Sequence, residues 1–142
     1  MRQIYRLLAN LVALTVVVQV ASIAMAWFLV IHDTDEGKVF AGEDDLNIGH
    51  WIHSIGAIVI ALLALALLIV SFFAHVSGGV KWAALVVLAV VVQWVLAILS
   101  FSLPVLGALH GINALVIAGV ASVAARRSLT SKPSEPSEPV AA

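Results

Sequence analysis

Four apolar stretches, about Leu7 to Ile31, Ile48 to Phe73, Val80 to Phe101 and Pro104 to Ala125, take up most of this 142-residue chain. Each has the roughly 20 residues that a hydrocarbon layer about 30 Å thick requires of a helix. With 63% of residues hydrophobic, 11% charged and a mean hydropathy of +1.13, the chain lacks the polar surface to coat a water-soluble globule. Unpaired backbone amides find no partner in lipid, so the Val-rich runs, which would favour strands in water, are read as helices. The expected fold is an all-α integral membrane protein, an up-down-up-down four-helix bundle over residues 1–127. Residues 128–142, with Lys132-Pro-Ser-Glu-Pro-Ser-Glu-Pro, have the composition of a disordered cytoplasmic tail. The first stretch follows Arg2 and Arg6 and contains Ala24-Met25-Ala26, as a secretory signal would. Its apolar run continues through Trp27 to Ile31, too far for a signal, and it is read as a retained helix.

Orientation follows from the cationic residues. Arg2, Arg6, Lys81, Arg126, Arg127 and Lys132 flank one set of helix ends, whereas the first connection has only Lys38 among Asp33, Asp35, Glu36, Glu43, Asp44 and Asp45. The positive-inside rule then places both termini in the cytoplasm, the acidic loop outside, and the chain as a multi-pass protein of the plasma (cytoplasmic) membrane. The acidic spacing does not follow a calcium-binding EF-hand loop and is read as a solvated loop. There are no cysteines, which excludes disulfides, thiolate-bound metals, iron–sulfur clusters and haem tethered through Cys-x-x-Cys-His. The membrane crossings leave no length for a soluble catalytic domain, and no catalytic residue is assigned.

Within the apolar segments two histidines stand out, because an imidazole in hydrocarbon is costly and marks function by default. His53 lies about five residues into the second helix and His110 about six into the fourth, which puts them at matching depth at about 1.5 Å per residue. Those helices run in the same direction and stand diagonally across an up-down-up-down bundle, so the two imidazoles can clamp a planar group. A haem iron is the leading candidate, with His53 and His110 as its axial ligands. Gly56, Gly107 and Gly111 are read as making room for the macrocycle, the bland alternative being close helix packing. His50, three residues before His53, is the rival ligand or a contact to a haem propionate. His32 and His75 lie at helix ends and are read as interfacial.

The chain also reads as two copies of one hairpin. Val16-Val-Val-Gln19 recurs as Val90-Val-Val-Gln93, and His53-Ser-Ile-Gly-Ala57 recurs loosely as His110-Gly-Ile-Asn-Ala114. Gln19 and Gln93 are expected to act as hydrogen-bonding glue between helices. The longer first connection accounts for the unequal spacing from glutamine to histidine, and a tandem repeat follows.

Taken together, Gln93, Pro104, Leu109-His110 and Ala114, with Gln19 and the His50-x-x-His53 start of the second helix, resemble one four-helix half of the haem A synthase family. In that family two such halves are fused, each with histidines near the outer ends of its second and fourth helices around a haem site. The likeness covers about residues 7 to 125. It departs at the second helix, where the family's Glu-x-x-His-Arg is here His50-x-x-His53-Ser54, and in the first outer loop, which lacks a cysteine pair. What the resemblance implies is a haem b pocket at His53 and His110, not the synthase reaction. The expected function is binding of one b-type haem near the outer face, for electron transfer or as a haem-bearing accessory subunit. The alternative is a cofactor-free structural or assembly subunit of a membrane complex. The partners this reading leaves room for are the lipid bilayer, a membrane redox partner or quinone, and a second copy in a homodimer; nothing points to nucleic acid.

Overall fold

The structure is a computed structural model that describes residues 1–130; most of the tail expected over 128–142 lies outside the described residues. The described chain forms α1 (Arg2–Asp35), α2 (Ile48–Ser71), α3 (Gly79–Ser100) and α4 (Leu106–Thr130), with one short 3-10 turn at Glu43–Asp45 and no strand. All four α-helices are long and apolar enough to cross a membrane. Two of them outrun their apolar stretches. α1 continues through Arg2 and Gln3 at one end and His32 to Asp35 at the other, and α4 carries on to Thr130, so Ser128 to Thr130 are helical rather than part of a tail. Hydropathy marks where lipid-compatible side chains stop, which is not where backbone hydrogen bonding stops. Pro104 falls before α4 and accepts the Gly107 N–H at 2.9 Å in the preceding turn.

The helices form a ring in which α1 packs on α2 and α4, and α3 packs on α4 and α2; neither diagonal pair touches backbone to backbone. Each buries a narrow stripe. On α1 it runs through Tyr5, Ala9, Val12, Val16, Gln19, Ser22 and Ala26, at the three- and four-residue spacings of one helix face. Small residues let the backbones approach. A Cβ added at Gly49 would lie 2.6 Å from the Ser22 carbonyl oxygen and 2.7 Å from the Ala26 nitrogen, so α1 and α2 cross with main chain against main chain. Large residues such as Leu14, Phe28, Leu62 and Ile98 point outward, giving helices that are apolar all round, as a lipid-facing bundle requires.

The two ends of the bundle differ. Where the chain starts, packing is closed: Tyr5 is fully buried and its hydroxyl donates to the Gly79 carbonyl at 3.0 Å. Nearby the Arg127 guanidinium sits 5.7 Å over the Trp82 ring, and Arg2 donates to the carbonyl of His75, whose φ of 50° makes the α2–α3 turn. Toward the α1–α2 loop the bundle loosens. α3 buries nothing after Val90, α4 nothing before Ala114, and α2 only Gly49 before Ile60. The seam between α2 and α3 is the loosest of the four. Protein interiors are ordinarily close-packed, and the loose half is the half that carries His53 and His110.

Candidate functional site: a paired-histidine clamp

His53 on α2 and His110 on α4 meet across the bundle, their ring centroids 6.3 Å apart and their planes inclined at 56°. Each ring is held from behind by the preceding helix of its own hairpin. His53 Nδ1 lies 3.2 Å from the Gln19 carbonyl oxygen, and His110 Nδ1 lies 3.1 Å from that of Gln93. A carbonyl can only accept, so each Nδ1 carries the proton and donates; in the neutral ring the lone pair is then on Nε2. A backbone carbonyl on the distal nitrogen is the usual support for a metal-bound imidazole, fixing tautomer and ring orientation together. Among the described residues no group of three or more His, Cys, Asp or Glu could hold a metal ion. An ion bound by this pair must therefore bring its remaining ligands with it.

The recurrence of Gln and His in the sequence thus corresponds to a recurrent contact, one glutamine carbonyl on one imidazole in each hairpin. The side chains of the glutamines do different work. Gln93 Oε1 accepts from Asn113 Nδ2 at 2.7 Å, and the same amide nitrogen donates to the Ala89 carbonyl at 2.8 Å. Three residues after His53 the corresponding position is Gly56, and the Gln19 side chain occupies the space that a Cβ there would need, donating to the Ile52 carbonyl at 3.3 Å. Gly56 therefore makes room for Gln19. Gly107 would place a Cβ 3.9 Å from the Ser100 hydroxyl and lies off the cavities around the pair, whereas Gly111 lines one of them and faces open space. Asn113 was not singled out in the sequence, although a polar side chain inside an apolar span is itself a signal.

His50 stands apart from the pair. Its Nδ1 accepts the Asn47 N–H at 3.3 Å while the Asn47 side chain accepts the Gly49 N–H at 3.0 Å, a reciprocal cap on the start of α2. Its ring packs edge-on against Trp27, with centroids 5.7 Å apart, and lies 6.2 Å from Phe40. With Nδ1 accepting, the proton of the neutral ring is on Nε2, so His50 has no lone pair left to ligate. His32 pairs with Glu36 at 3.6 Å near the end of α1, and His75 is in the α2–α3 turn, both remote from the clamp. Beside the acidic loop Lys38 Nζ lies 2.7 Å from Asp33 Oδ1, whose hydrogen bond and charge push the lysine pKa up.

Two cavities open on the clamp. One, of about 100 Å³, reaches from the two rings toward α1 and α4 past Val20, Ile23 and Gly111. The other, of about 270 Å³, lies between α2 and α3 and is bounded by Ser54, Ala57, Trp94 and Ala97 as well as both histidines. No protein-family model matches the chain, and neither the curated proteins nor the solved structures contain a match.

Proposed function

We propose that the chain is a membrane haem protein that holds one b-type haem between His53 and His110. The observation that carries this reading is the pair of carbonyl-anchored imidazoles. With ring centroids 6.3 Å apart, His53 and His110 are the two residues that would hold the iron. A porphyrin would supply the further ligands that the chain does not, and the loose half of the bundle has a cavity on each side of the pair. Held by both His53 and His110, haem would supply a one-electron carrier suited to electron transfer rather than to oxygen binding. The chain's part is to fix the two rings, to present Nε2 on each, and to exclude water with apolar walls. A quinone fits the clamp itself poorly, because two accepting nitrogens cannot donate to its carbonyls; a quinone or a membrane redox protein enters the proposal as the electron partner. By the distribution of Lys and Arg, the protein spans the plasma membrane with both termini in the cytoplasm and the clamp toward the outer face.

The test is the visible spectrum of the purified protein. Wild type is expected to show a low-spin b-type spectrum, with haem extractable into acidic organic solvent. His53→Ala and His110→Ala are each expected to abolish it or turn it high-spin, and His50→Ala to leave it low-spin. A wild-type protein that stays haem-free under ample haem supply favours the structural-subunit alternative.

A further inference from the structure

Resting on the haem reading, we infer that the ligand reaches the clamp sideways, from the bilayer, through the seam between α2 and α3. A macrocycle centred between the two imidazoles extends to both sides of their axis, and sites for molecules of that size need about 300 Å³ or more. The cavity toward α1 and α4 has only about 100 Å³. The larger space, about 270 Å³, is on the α2–α3 side, and along that seam a second trough of similar volume continues past Ala61 and Val91. Both troughs share Trp94 and Ile98. Trp94 also borders the cavity toward α1, and so forms the wall between the core and the seam.

The repeat shows why this side is the open one. Counting from the glutamine of each hairpin, Trp94 corresponds to Val20 and Ala97 to Ile23. The α1–α4 seam has the branched Ile23 where the α2–α3 seam has only an alanine methyl. On the α1 and α4 side Val16 and Ile117 are both almost fully buried, whereas α3 buries nothing past Val90. At the loop end, Trp27, Phe40 and His50 pack together over the start of α2, and Asn47 ties it to the Ala26 carbonyl at 2.9 Å. The α1–α2 side of the loop end is therefore covered, and the α2–α3 seam is apolar and turned toward the hydrocarbon, the phase into which a porphyrin partitions.

Because the chain has no cysteine, the seam can be closed selectively. In the double variant Ser54→Cys/Ala97→Cys, one thiol on each side of the larger cavity can be joined by a reducible bifunctional thiol reagent; Val39→Cys/Asp45→Cys does the same across a small cleft in the α1–α2 loop. Full-length protein made under limited haem supply and placed in phospholipid vesicles is given haem, and growth of the low-spin spectrum is followed. Bridging the seam is expected to slow loading by about tenfold or more, as a gated site does, with wild-type rate restored by reductant. Bridging the loop is expected to leave the rate unchanged. Loading at wild-type rate with the seam bridged, slowing only when the loop is bridged, or failure of the seam pair to bridge at all overturns the lateral route while leaving the haem reading intact. Absence of a low-spin spectrum in the unbridged wild type overturns both.

Discussion

A neutral imidazole whose Nδ1–H is tied to a carbonyl has one thing left to offer, the lone pair on Nε2, and this chain makes that offer twice at one level. The glycines around the pair should respond to substitution in opposite ways. Gly56→Ala drives a methyl into the Gln19 side chain, which must leave the Ile52 carbonyl. A loss of about 1–3 kcal/mol is expected from overpacking, read as a lower midpoint of thermal unfolding in detergent. Gly111 meets nothing within 4 Å, so Gly111→Leu is expected to keep the apoprotein's unfolding midpoint while filling the cavity and removing the low-spin spectrum. For His50→Ala the expectation is a loss of about 0.5–2 kcal/mol of helix capping with no change of spin state. At this scale the sequence was partly legible. A histidine in an apolar span draws notice by the cost of placing it there, which is why His53 and His110 are singled out, but nothing in His50-x-x-His53 says which nitrogen is engaged. The Asn47 cap that takes His50 out of contention depends on where α2 starts, to within one residue. Gly56 was misplaced for a related reason: a glycine near a histidine looks like room for a ligand until the side chain that fills the room is known.

At the scale of the helix, hydropathy located all four elements and then lost resolution. It shortened α1 at both ends and α4 at one, because Arg2, His32 to Asp35 and Arg126 to Ser128 extend a helix without being apolar. It also gave no buried face, since Leu and Val point outward as readily as inward along helices apolar all round. Size is the better guide, for Ala9, Ala26, Gly49, Ala64, Ala83, Ala121 and Ala124 all lie on buried stripes. Gly49 is the most constrained of these, with main-chain atoms of α1 where a side chain would be. Gly49→Leu is expected to force α1 and α2 apart, to lower the unfolding midpoint more than Gly56→Ala does, and to lose haem along with it, since Gln19 and His53 belong to the two helices being separated. A Gly49→Leu protein as stable as wild type would show that the α1–α2 crossing is looser than described.

The described molecule is a ring of four helices, closed where the chain begins and loose at the other end, with His53 and His110 contributed by helices whose backbones do not touch. Topology can be tested independently of any cofactor: tags at both termini should be accessible from the cytoplasmic side alone, and an amine label at Lys38 from outside alone. A terminus exposed on the outer face would separate the clamp from the side of the membrane assigned to it. The repeat was visible as Val-Val-Val-Gln and His-x-Ile-x-Ala, but its meaning, a main-chain carbonyl presented to a ring, involves no glutamine side chain and so left no mark on residue type. A hairpin with one such carbonyl and one such ring needs only an identical copy, turned half a revolution about the bundle axis, to assemble the complete clamp. In a dimer of that kind every improvement is made twice by a single mutation. Once the two hairpins share a chain, each half is free to change alone, and Gly56 opposite Asn113 is the kind of difference that freedom permits.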